Sequence, residues 1–133
     1  MKTTVSILAL YSALSLFAGG AALAEARLDP PEPTVNGHYQ VAGNWSELKR
    51  GWNTLVLKVT DSGQTAMTGA TVKVAYDMVG MPMNPPDRPV VEKGDGIYEK
   101  RVFLGMPGSW KFDTEVTSGD VADSHGKIQE VTQ

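Results

Sequence analysis

Beyond residue 24, this chain sets apolar side chains at every second position, in short runs cut apart by glycine and proline. Such a chain can bury its apolar atoms only by forming strands with one oily face. In "WNTLVLKVTD", Leu55, Leu57 and Val59 share one face, while Thr54, Lys58 and Thr60 share the other. "ATVKVAYDM" repeats the pattern, with Val72, Val74, Tyr76 and Met78 set against Lys73 and Asp77. "YEKRVFL" brings Tyr98, Val102 and Leu104 into phase, and "SWKFDTEVT" places Trp110, Phe112 and Val116 opposite Lys111, Asp113 and Glu115. "HYQVAGNW" reads as a short first strand and "SELKRG" as a connection. "DSGQTAMTGA" has the composition of a turn, and Gly94-Asp95-Gly96 reads as a hairpin turn because a strand follows it. No segment past the leader holds helical spacing. One-faced strands need a partner sheet, so the expectation is all-β, an antiparallel sandwich of six to seven strands.

The amino terminus follows another rule. Lys2, an apolar run from Val5 to Ala18, small residues and a final Ala22-Leu23-Ala24 make up a secretory leader. Left uncut, Val5 to Ala24 is about long enough to span a bilayer. The Gly19-Gly20 pair and the Ala-x-Ala end favour cleavage, and with it a periplasmic location. The domain reading is therefore 1–24 signal peptide, 25–37 proline-rich linker, 38–117 sandwich and 118–133 polar tail. Cysteine is absent, so the domain stands without disulfides in an oxidising compartment and offers no thiolate to a metal. The net charge of −3 becomes one unit more negative when Lys2 leaves with the leader. No basic stripe appears, which argues against nucleic acid as a partner.

Within "YDMVGMPMNPPDRP" stand Met78, Met81 and Met83, half of the chain's six methionines. Met78 is in strand phase and belongs to the core. Met81 and Met83 flank Pro82, and residues two apart in an extended segment project to the same side. A thioether is neutral and soft, which suits Cu(I) and has little attraction for Zn²⁺. Met106, in "GMPGSW", begins the turn into the last aromatic strand and is the candidate third sulfur. Met81, Met83 and Met106 would then form a trigonal Cu(I) site. The competing reading makes them plugs for the end of the sandwich, since methionine fills irregular gaps. Met67 sits alone in a turn with no role assigned.

The other chemistry-bearing residues are sparse. His38 and His125 fall near the ends and are expected to be solvated. Trp52 and Tyr98 are expected as core anchors, the Tyr98 hydroxyl tied to a backbone group as in a tyrosine corner. Trp45 reads as a surface contact or an edge plug. Ser46, Ser62 and Ser109 have no visible base, and no pair of carboxylates has a distinctive spacing, so the chain is expected not to be an enzyme.

"GWNTLVLKVTD", then "GATVKVAYDM", "GMPM" and "GDGIYEKRVFLGMPGSW" carry a resemblance in their order and spacing. From about Tyr39 to Val116 the chain resembles the YtkA-like family, which includes the periplasmic portion of FixH-like proteins. The resemblance implies an immunoglobulin-type sandwich outside the cytoplasmic membrane. Through the FixH-like members it also implies association with a copper-pumping ATPase and with assembly of copper-dependent terminal oxidases. A retained membrane anchor is usual in FixH-like proteins, and the Ala22-Leu23-Ala24 end departs from that. Two expectations result. One is a periplasmic accessory protein handling Cu(I) beside a copper transporter or a membrane oxidase-assembly complex. The other is a metal-free module that docks on a membrane complex or a small ligand through its loops.

Overall fold

The computed structural model describes residues 27–132, so the leader read at residues 1–24 lies outside the described residues. Eight strands run through them: β1 (Glu32–Pro33), β2 (Tyr39–Gly43), β3 (Gly51–Asp61), β4 (Thr71–Met78), β5 (Val91–Gly94), β6 (Ile97–Leu104), β7 (Gly108–Ser118) and β8 (Val121–Val131). A single 3-10 turn, Trp45–Glu47, interrupts them between β2 and β3. Every strand pairing is antiparallel. The strands divide into a five-stranded sheet ordered β1-β2-β3-β6-β5 and a three-stranded sheet ordered β4-β7-β8. Leaving out the two-residue β1, seven strands remain in the arrangement of four against three that defines the constant-type immunoglobulin sandwich.

Strand alternation decides what lies between the sheets. Leu55, Leu57 and Val59 from β3 and Val72, Val74 and Tyr76 from β4 are buried in one core with Tyr98, Val102, Leu104, Trp110, Phe112 and Val116. Met78 and Met67 pack partly buried against that core. Rings fill its centre, with Tyr76 stacked on Phe112 at 5.8 Å and Trp45 tilted against Phe112 at 5.3 Å. The Tyr98 hydroxyl donates to the Met67 carbonyl at 2.6 Å and accepts from the Ala70 amide at 3.1 Å. That fastens the β3–β4 connection to β6, although not at the corner a tyrosine corner occupies. Gly94-Asp95-Gly96 is the turn of the β5–β6 hairpin. There Gly96 has φ +77°, and an added side chain would lie 2.7 Å from the Val59 carbonyl oxygen.

Four expectations need correction. The polar tail expected over 118–133 is a strand for most of its length, because β8 pairs with β7 from Val121 to Val131. Likewise, 25–37 is not a free linker from Arg27 on. β1 pairs with β2, Thr34 is buried, and the Val35 amide donates to the Ser124 carbonyl on β8. His125 is buried instead of solvated, only 4% exposed, with its Nε2 2.8 Å from a Glu32 carboxylate oxygen. The fourth concerns tryptophan. Trp52 is 43% exposed on the outer face, whereas Trp45 is 1% exposed and inside.

These corrections have one cause. The inward positions of β8 are Asp123, His125, Lys127 and Gln129, with only Val131 at its end apolar and in the core, where a run of apolar residues would have announced a strand. The segment Asp29–His38 closes over that polar face as a strap. Glu32 reaches both His125 and Lys127, the latter at 3.2 Å. The His125 ring draws the Glu32 carboxyl below its usual pKa, against burial, which raises it, and Lys127 adds to the lowering. Asp123 accepts from the Thr34 hydroxyl at 2.7 Å and from the amides of Asn36 and His38. Burial pushes the Asp123 carboxyl up, yet these donors together outweigh it and hold the carboxyl far below the usual range.

Candidate functional site

The turn after β4 and the turn before β7 leave the same end of the three-stranded sheet, because Met78 pairs with Trp110 across the two strands. The first turn is held by one carboxylate. Asp77 Oδ1 accepts from the Met78 amide at 2.8 Å and the Met83 amide at 2.7 Å, and Oδ2 accepts from the Asn84 amide at 3.4 Å. The Met83 amide is the main reason the Asp77 carboxyl sits below its usual pKa; burial opposes it, and the other two amides reinforce it. Gly80 at φ +76° and Asn84 at φ +49° let the chain reverse twice in this space. The second turn is fixed by Trp110, whose indole Nε1 donates to the Met106 carbonyl at 2.9 Å.

These two turns carry the three methionines singled out by sequence. Met81, Met83 and Met106 are 49%, 36% and 38% exposed, while Met67 and Met78 lie against the core. Each of the three keeps more than a third of its surface open to solvent. The structure thus brings the three to one end of the sandwich and leaves Met78 inside, its terminal methyl packed toward Gly108. Neither histidine is there. His38 and His125 belong to the strap and β8, with His125 paired to Thr114 midway along β7 and the His38 amide bonded to Asp123, which pairs with Val116 near the far end of that strand. Among the described residues, no three or more His, Cys, Asp or Glu gather in a way that could hold a metal ion. Beside the Asp77 carboxylate, which backbone amides engage, the side-chain donors carried by these turns include the three thioethers.

A groove of about 620 Å³ continues from the first turn along the outer edge of β4. One wall is Val72 to Asp77; the other is the segment from Asn84 to Val90, with Lys100 at the floor. Lys100 points inward between the sheets and is 4% exposed. Its ammonium donates to Asp87 at 2.9 Å and to the Arg88 carbonyl at 2.6 Å, and lies 5.9 Å from the centre of the Tyr76 ring. The lysine's hydrogen bond and charge keep the Asp87 carboxyl below its usual pKa. Tyr76 accepts from the Phe103 amide at 2.8 Å and donates to the Pro86 carbonyl at 3.3 Å. Burial raises its phenol pKa, against the Phe103 amide. Lys100 and Tyr76 together pin the proline-rich segment across the open side of the sandwich.

Sequence reasoning placed Tyr76 in the core but passed over Lys100 and the strap. The signal for Lys100 was present: it is in phase with Tyr98, Val102 and Leu104, so strand parity alone sends it inward. The strap network carried no such signal, since its partners lie far apart in the chain.

A family model described as YtkA-like matches residues 36–115. That span covers more than half of the chain and takes in β2 to most of β7, including both methionine turns; the chain belongs to the YtkA-like family. No curated protein matches it. Among solved structures, the crystal structure of the Lin-41 filamin domain aligns with a TM-score of 0.49 and 9% identity, over 75% of this chain and 97% of that one.

Proposed function

We propose that this protein is a periplasmic, non-catalytic accessory protein that handles Cu(I) through Met81, Met83 and Met106. The observation that supports it most is the partition of the methionines. The two in strand phase or against the core are packed, and the three on the turns at one end are exposed. Thioether donors need no deprotonation, so such a site holds Cu(I) across a wide pH range and discriminates against Zn²⁺. Asp77 and Trp110 support the site by fixing the backbone on which the sulfurs stand, which lowers the ordering cost of binding. Exposed, few-ligand coordination suits a protein that passes its ion onward, and a copper transporter or a membrane oxidase-assembly complex is the partner class in keeping with it.

The test is a competitive Cu(I) titration of the chain beginning at Glu25 against a chromophoric chelator. Met81→Leu/Met83→Leu preserves bulk and should change folding by less than about 1.5 kcal/mol, while the affinity drops at least tenfold. Met78→Leu should leave the affinity unchanged. Equal Cu(I) binding by the wild type and the double variant would overturn the reading.

A further inference from the structure

We propose that the free edge of β4 takes an extended segment of a partner polypeptide as an added strand, one that alternates apolar and acidic side chains. The proposal does not rest on the metal reading. β4 stands at the edge of its sheet, paired among the described residues only with β7. The Val79 amide donates to the Ser109 carbonyl, which settles the parity of the ladder: odd-numbered residues of β4 bond to β7, and the even ones turn their backbone groups outward. Met78 satisfies its own groups locally, its amide on Asp77 and its carbonyl with the Met81 amide. Val72, Val74 and Tyr76 remain, offering three N–H and three C=O groups along the groove. Unpaired edge groups of this kind are a template for another strand unless something blocks or covers them.

The segment facing them does not pair with them. Pro85, Pro86 and Pro89 have no amide hydrogen to give, and Lys100 and Tyr76 hold the segment in place as a second wall. The proposal places a single strand between the walls; a second copy's β4 would have to bring its own sheet and proline segment with it. The groove also states a chemistry. Val72, Val74, Tyr76 and Val90 line its inner side. Asp87 is engaged by Lys100, and Asp77 by three backbone amides. Lys73 and Arg88 line the groove as exposed cations and form no ion pair among the described residues. On a chain of net charge −3, this edge is locally positive. Apolar side chains of an incoming strand fit the inner side, and acidic ones on the alternate positions meet Lys73, while the Arg88 guanidinium lies over the Trp52 ring at 5.2 Å.

The experiment uses ¹⁵N-labelled chain beginning at Glu25 and a capped synthetic octapeptide alternating valine and glutamate. Binding should shift and protect from exchange the amides of Val72, Val74 and Tyr76, with smaller changes at Lys73 and Ala75. Two N-methylated versions of the peptide separate strand addition from loose adhesion. Methylation on the alternate amides facing β4 should weaken binding at least tenfold, and methylation on the other set should not. Lys73→Glu, at an exposed position, should leave the fold intact, weaken the glutamate peptide and favour its lysine counterpart. The proposal is overturned if millimolar peptide leaves the three amides unmoved, if both methylated peptides bind alike, or if those amides shift with protein concentration alone, which would mark the edge as a self-association surface.

Discussion

Trp110→Ala offers the sharpest check on how the sandwich is built. The indole is fully buried, tilted against Tyr76 at 6.2 Å between centroids, and bonded through Nε1 to the Met106 carbonyl. Emptying such a site costs about 3–5 kcal/mol through lost transfer energy and the cavity left behind. A domain of this size has about 5–15 kcal/mol in total, so the variant loses about a fifth of its stability or more. At about 4 °C per kcal/mol, the melting temperature should fall by about 12 to 20 °C. Trp110→Phe keeps most of the ring and removes the donor, so it should cost less while freeing the turn that carries Met106. The contrasting variant is Trp52→Ala, which removes an indole lying on the outer face between Arg88 and Arg101 and against Phe103. It should cost no more than about 1.5 kcal/mol, close to the scale of surface changes. Urea unfolding followed by circular dichroism, with fluorescence from the remaining tryptophans, measures all three. A loss below about 1 kcal/mol for Trp110→Ala, or a larger loss for Trp52→Ala, would refute the placement of the two residues.

Three further outcomes can be checked. A carboxyl with a lowered folded pKa stabilises the fold above its unfolded value of about 3.9, and the contribution fades as pH falls through the folded value; Asp77→Asn should therefore remove one acid-side transition seen in the Met83 amide shift and weaken Cu(I) binding at neutral pH. By the same sign, Asp123→Asn should flatten acid destabilisation of the strap and speed amide exchange at Asn36 and His38 at neutral pH. Tyr98→Phe leaves the Met67 carbonyl and the Ala70 amide without their partner and should cost about 1–2 kcal/mol in chemical unfolding, with exchange rising first in the β3–β4 connection.

The legible part of the fold was the part written in alternating apolar residues. β3, β4, β6 and β7 each bury valine, leucine or aromatic side chains on one face, and period-two reading recovers them. β8 has the same period, but its inward face up to Val131 is Asp123, His125, Lys127 and Gln129, and the first three find partners on a strap almost ninety residues earlier, as in the Thr34–Asp123 bond. Polar residues buried by long-range partners look in sequence like polar residues in water. Trp52 illustrates the opposite error. It shares parity with Thr54 and Lys58, which places it outward, and its size alone argued for the core. Trp45 has no period to read, since it lies on a 3-10 turn, and its burial depends on Gly43, where an added side chain would come within 2.7 Å of the indole. At the candidate site, parity separated Met78 from Met81 and Met83, and turn position added Met106. The carboxylate that holds the loop was not legible, because Asp77 bonds to amides six and seven residues onward through a reversal set by Gly80 and Asn84.

The central claim is that one end of this sandwich presents three thioether sulfurs to Cu(I). X-ray absorption at the copper edge, on the chain beginning at Glu25 loaded with one equivalent of Cu(I), reads the donor atoms directly. The account predicts a Cu(I) edge with a first shell of three sulfurs, falling to one in Met81→Leu/Met83→Leu with the balance made up by solvent or buffer ligands. A first shell containing imidazole nitrogen, or one that the double variant leaves unchanged, would contradict it.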